Sequence, residues 1–121
     1  MSLRDFHALA PALAARRIDF DSAEVVGGAA GGHFLIVTGE APCANMRVEL
    51  LPLIYIACPE WWEIEVAGTL PGGICLTALR PFTCVLPLAG VTGSRGIVVR
   101  GATRSREFEV PGGCGSGDDL G

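Results

Sequence analysis

Apolar and polar side chains alternate most regularly between Met46 and Leu70, MRVELLPLIYIACPEWWEIEVAGTL, and this stretch predicts the central strand pair of an all-β fold. Trp62, Ile64, Val66, Gly68 and Leu70 share one parity, while Trp61, Glu63, Glu65, Ala67 and Thr69 share the other. Successive strand side chains point to opposite faces, so the pattern predicts one buried and one wetter face. Upstream, Met46, Val48, Leu50, Ile54 and Ile56 continue the buried parity, and Arg47 and Glu49 mark the other face as polar. That polarity stops at Leu51. With Leu53 and Tyr55 the second face turns apolar as well, which calls for a cover: a helix, a loop or another subunit. Pro52 cannot donate to a ladder and belongs at a bulge or on an edge, so the run splits there. Cys58-Pro59-Glu60 predicts a turn, and a hairpin centred on it preserves the parity of both arms.

The rest of the chain supplies partners for this pair. Ser2-Leu3-Arg4-Asp5 resembles a helix N-cap, and Leu3, Phe6, Leu9, Ala10 and Leu13 recur at helical spacing, so residues 1–17 form a helical or irregular segment with a helix over about 3–16 that Pro11 interrupts. Ile18 to Val26 predicts a first strand, with Ile18 and Phe20 on one parity. The glycine run 27–32 joins it to a second strand, His33 to Thr38. It is not a phosphate loop: the G-x-G-x-x-G spacing is missing, no lysine follows, and the next element is a strand rather than a helix. Pro71-Gly72-Gly73 is a turn, Ile74 to Leu79 a short strand or an irregular crossing, and Phe82 to Leu88 a strand that carries Pro87 near an edge. Ile97 to Arg100 and Glu107 to Val110 form a closing hairpin. The β domain therefore spans 18–110, and the Gly- and acid-rich stretch 111–121 is expected to be a disordered tail.

About seven strands at short intervals, with turn signals between them, predict an antiparallel β-sandwich; an immunoglobulin-like Greek key is the favoured version and a small β-barrel the alternative. The Cys-Trp-Cys spacing of antibody domains is not present. Half of the 121 residues are apolar and the mean hydropathy is +0.44, a surplus that needs burial. Together with the apolar Leu51, Leu53 and Tyr55, it predicts a homo-oligomer, most simply a dimer.

Composition removes several classes of function. All nine basic residues are arginine, so chemistry that needs a lysine amine is excluded. A net charge of −4 lacks the basic footprint of a nucleic-acid binder. Arg95, Arg100, Arg104 and Arg106 gather locally and are candidates for an anion site, although Glu107 and Glu109 interleave with them. No apolar run reaches the ~18 residues of a membrane helix, and the N-terminal order of charges is wrong for a secretory signal, which predicts a cytoplasmic location. In that compartment the five cysteines, 43, 58, 75, 84 and 114, are expected to be reduced; Cys43 and Cys75, both beside turns, are placed to pair in an oxidising one.

No motif names a reaction or a cofactor. Trp61, on the glutamate-bearing parity, is a candidate anchor for a partner or a sugar. Glu63 and Glu65, about 7 Å apart on one strand face, could with His33 serve a small hydrolase or a metal enzyme. The favoured reading is a non-catalytic binding or assembly module without cofactor or metal.

Overall fold

The computed structural model describes residues 15–29 and 31–115. Its strands, in chain order, are β1 (Ala15–Arg17), β2 (Ser22–Gly27), β3 (His33–Ala41), β4 (Arg47–Pro52), β5 (Trp61–Thr69), β6 (Arg80–Pro87), β7 (Gly96–Arg100) and β8 (Ser105–Glu109). They form two sheets, one of β2-β3-β6 and one of five strands built around β5. The fold is thus the expected all-β, sandwich-like arrangement, with eight strands among the described residues. No helix among the described residues is long and apolar enough to cross a membrane. The helix expected over about 3–16 lies mostly outside the described residues; its last two positions, Ala15 and Arg16, are in β1.

Strand β5 has both edges occupied. Along one edge it pairs antiparallel with all of β4, from Arg47 opposite Thr69 to Pro52 opposite Ile64. This register is centred on Cys58, where the sequence places the turn. The other edge is shared: β1 pairs antiparallel with Ala67 to Thr69, and β7 pairs parallel with Trp61 to Glu65. The parallel pairing was not predicted, and β8 completes the sheet as the antiparallel partner of β7. The glycine-containing connection between β2 and β3 is a hairpin with Gly27 opposite His33.

The parity of the central strand holds at Ile64 and Val66, whereas Ala67, on the other parity, is buried as well. Ile64 and Val66 of β5 are fully buried with Leu35 and Val37 of β3 and Ile97 and Val99 of β7, and Leu50, Phe82 and Met46 pack among them. Each such side chain contributes about 1.5–3 kcal/mol by leaving water. Two expectations fail at chain crossings. Ile18 to Val26 is not one strand, because the chain leaves the β5 sheet after Arg17 and enters the other at Ser22; Ile18 and Phe20 are buried, but the inward position then shifts from Ser22 to Ala23. Ile54 and Ile56 do not continue the buried parity, since the backbone leaves the sheet after the bond of Leu53 to Glu63, and both are fully exposed.

The three strand prolines explain a feature of the edges. The bond from Leu53 N–H to the Glu63 carbonyl and that from Leu88 N–H to the His33 carbonyl set the phase of the two ladders. Bonded and non-bonded pairs alternate. Pro52 on β4, and Pro81 and Pro87 on β6, therefore all fall where an N–H would point away from the strand's partner, so no ladder bond is lost. Those outward edges of β4 and β6 face each other. The Arg80 guanidinium donates to the carbonyls of Ala44, at 2.9 Å, and Met46, and the Cys84 thiol donates to the Val48 carbonyl at 3.4 Å. Side chains of β6 thus join the two sheets where a backbone ladder is absent.

Candidate functional site

The outward side of β5 carries Trp61, Glu63 and Glu65. Trp61 is half-buried, with the Arg95 guanidinium 5.0 Å from its ring centroid, an arrangement held by cation–π attraction. Arg95 also meets Glu109 at 3.5 Å, and the exposure of both side chains makes that pair worth no more than about 1 kcal/mol. The Glu63 carboxylate forms an ion pair with the Arg100 guanidinium at 3.0 Å. Arg104 donates to the Phe20 carbonyl at 2.8 Å and Arg106 lies over the Phe108 ring. Each of the four candidate anion-site arginines thus has a different partner.

His33 begins β3, in the other sheet from the glutamates. It lines a shallow cleft of about 200 Å³ with Gly31, Leu88, Thr92 and Pro111. The structure therefore does not bring Glu63, Glu65 and His33 together. Among the described residues no three His, Cys, Asp or Glu side chains are grouped to hold a metal ion. The Cys84 thiol is pushed up from its ordinary pKa by burial first and by the charge of Glu49 second, so it is a poor thiolate.

Four of the five cysteines are paired, which overturns the expectation of five reduced thiols. Cys43 joins Cys75 with Cα atoms 5.2 Å apart, and Cys58 joins Cys114 at 5.7 Å. The first is the pair marked by the turns. The second shows that the predicted tail is tied to the fold as far as Gly115: Cys114 N–H donates to the Thr92 carbonyl, and its bridge holds the loop between β4 and β5. Residues 116–121 lie outside the described residues.

Each bridge braces a loop that displays large apolar side chains. Between β4 and β5, Ile54 and Ile56 are 95% and 106% exposed. Tyr55, between them, turns the other way: its ring meets Trp62 edge-on at 5.0 Å, and its hydroxyl accepts the Glu63 N–H at 3.3 Å. Trp62 in turn donates its indole N–H to the Leu53 carbonyl at 2.9 Å. Leu53, Tyr55 and Trp62 thus anchor the loop, and Ile54 and Ile56, on either side of Tyr55 in the chain, form an outward ridge. At the opposite end, Ile74, Leu76 and Leu79 are all exposed. There the Asn45 side chain donates to the Ile74 carbonyl at 2.6 Å and accepts from Leu76 N–H at 3.0 Å, beside the Cys43–Cys75 bridge.

Of the residues marked as interaction candidates, Leu51 is exposed on β4, Trp61 lies beneath Arg95, and Leu53 and Tyr55 support the ridge rather than form it. Sequence reasoning missed the ridge because Ile54 and Ile56 continue the core parity; the signal that could have found it is Pro52, which ends the strand just before them. Asp19 was missed as well. Its carboxylate accepts from the Thr103 hydroxyl at 2.6 Å and from the backbone N–H groups of Thr103 and Arg104, which fixes the turn between β7 and β8. These bonds, that of the Thr103 hydroxyl foremost, hold its pKa below the ordinary carboxylate value. Compared with protein-family models, curated proteins and solved structures, the chain matches none.

Proposed function

We propose that this protein is a non-catalytic binding or assembly module that works as a homo-oligomer, most simply a two-fold dimer. One observation carries the proposal: the largest exposed apolar side chains sit on loops that disulfides and half-buried aromatic or amide contacts hold in place. An apolar surface fixed before a partner arrives loses little conformational entropy on binding, which is what makes a contact surface effective. Contiguous exposed apolar area beyond a few hundred Å² is uncommon on proteins that remain alone in water.

The two bridges also support an oxidising compartment, in place of the cytoplasmic location read from the N-terminal charges, because paired cysteines persist where glutathione and thioredoxin do not reduce them. For the finer fold we propose a Greek-key connectivity, supported by β6 returning to pair with β3 after β4 and β5 have crossed to the other sheet. The immunoglobulin-like version rests on the facing sheets alone.

Light scattering during gel filtration, on oxidised protein at micromolar concentration, tests the assembly reading. A mass of two chains is expected, and a substitution of both Ile54 and Ile56 by Ser should return one chain with an unchanged circular dichroism spectrum. A wild-type mass of one chain, held up to about 100 µM, would refute homo-oligomerisation.

A further inference from the structure

The seam between β4 and β6 is closed at one end and open at the other. At the closed end Arg80 and Cys84 reach across to the carbonyls of Ala44, Met46 and Val48. Past Cys84 no hydrogen bond from a β6 side chain crosses the gap, and Leu50, Leu51, Val85 and Leu86, with Glu49 beside them, line an open groove that belongs to a cavity of about 340 Å³. Val85 is 57% exposed and Leu51 41%. The ladder phase directs the backbone N–H and C=O of Leu50 and Val85 into this groove. Pro52 and Pro87, without N–H groups, mark its end.

Such a groove offers a short apolar segment main-chain groups along its walls and apolar side chains between them. The molecule displays a segment of that kind. Ile54 and Ile56 are both exposed on the loop that follows β4, while Tyr55 between them is fastened to Trp62. Resting on the assembly reading above, we propose that the Ile54–Ile56 ridge of one copy seats in the open half of the β4/β6 seam of a second copy, and that the second copy does the same in return.

Area and position decide between this arrangement and a one-sided contact. A stable interface buries roughly 800 Å² per partner, more than two isoleucines and a four-residue groove supply. Two such contacts, related by a two-fold axis, double the area and leave neither ridge in water. They are also geometrically coupled, since the loop that carries the ridge begins at Leu53, one residue beyond the strand that walls the groove. An axis passing near Pro52 therefore brings both ridges to both grooves at once, and closed two-fold symmetry prevents growth into filaments.

The test uses the full, oxidised chain in three forms: wild type, a ridge variant (Ile54→Asp with Ile56→Asp) and a groove variant (Val85→Asp). All the substituted side chains are solvent-exposed, so each variant is expected to keep the wild-type spectrum and melting curve. Sedimentation velocity should show a wild-type dimer and a dissociation constant at least tenfold weaker for either variant alone. Mixing ridge and groove variants restores one intact contact, because the first keeps its groove and the second its ridge, so the mixture should associate more tightly than either part. If the groove variant dimerises like wild type, or the mixture is no better than its components, the seam is not the receptor, although assembly through the ridge survives. If the wild type is a monomer, the assembly reading fails with it. Non-reducing electrophoresis that shows single chains excludes a dimer linked through Cys84.

Discussion

Replacing Cys58 and Cys114 together by Ser is expected to destabilise the protein by about 4 kcal/mol. The bridge spans 56 positions, and closing a loop of that length in the unfolded chain removes entropy worth about 4 kcal/mol at room temperature. The native state should lose little beyond this, because the braced segments keep other contacts. Ser94 and Arg95 donate backbone N–H groups to the carbonyls of Pro59 and Glu60, at 2.8 Å each, and Cys114 keeps its bond to Thr92. The effect therefore falls mainly on the unfolded ensemble. For a chain of this size about 1 kcal/mol moves the melting temperature by about 4 °C, so a drop of about 15 °C is expected in scanning calorimetry, at neutral pH and without reductant. The Cys43–Cys75 bridge spans 32 positions, and the same relation gives it slightly less than 4 kcal/mol, so its removal should lower the melting temperature by a similar but smaller amount. The two spans overlap between residues 58 and 75, so the quadruple variant should lose less than the sum. A loss below about 1 kcal/mol for the Cys58/Cys114 variant would refute the argument, and with it the view that this bridge restrains the unfolded chain.

Three further outcomes follow from single positions. Trp62→Ala should cost about 3–5 kcal/mol, since it empties a site packed on the core and frees Leu53 and Tyr55, whereas Trp61→Ala should cost about 1 kcal/mol or less; equal falls in urea midpoint would show that the two rings do not divide between core and outer face. Gly96→Ala should prevent folding to the native state, because a Cβ there would collide with the Phe108 carbonyl across the β7–β8 pair; a native-like spectrum for this variant would contradict the register. The hydrogen bonds from Thr103 and Arg104 lower the folded-state pKa of Asp19, so the stability it contributes is complete above its unfolded value and disappears as pH falls through the folded one; below about pH 4 the wild type should lose melting temperature faster than Asp19→Asn, and parallel curves from pH 5 to pH 2 would refute this role.

What the sequence reveals here depends on how local the determining physics is. Parity located the buried side of β5, and the proline positions located the edges, because both are set within one strand. The centre of the β4–β5 hairpin at Cys58 follows from the same two-residue period on its two arms. Pairings between distant segments carry no such local mark. The parallel contact of β7 with β5 joins residues 35 positions apart, as in Trp61 opposite Gly96, and nothing in either run records its direction. Asp19 and Arg80 were invisible for a related reason. Each satisfies backbone groups of a remote turn or strand end, and a charged residue that does this has the same neighbours in sequence as one that merely faces water.

The apolar surplus of the sequence was legible as a quantity and misplaced as a location. A mean hydropathy of +0.44 predicts apolar surface beyond what a small core can hold, and the uniform pattern from Leu51 to Tyr55 assigned it to a sheet face. The structure leaves Leu51 and Val85 exposed on strands and places the larger part on the loops at the two ends of the sandwich, with Ile54 and Ile56 at one and Ile74, Leu76 and Leu79 at the other. A flexible loop with that composition would fold back onto the nearest apolar surface, since burying even one isoleucine is worth about 1.5–3 kcal/mol. Two restraints oppose such collapse at the first loop: the Cys58–Cys114 bridge fixes one end, and the Tyr55–Trp62 contact occupies the inward side of the chain. The second loop has the Cys43–Cys75 bridge and the paired bonds of Asn45. The same cysteines that stabilise a small sandwich through its unfolded state therefore also keep its apolar loops extended into solvent, where a second chain can reach them.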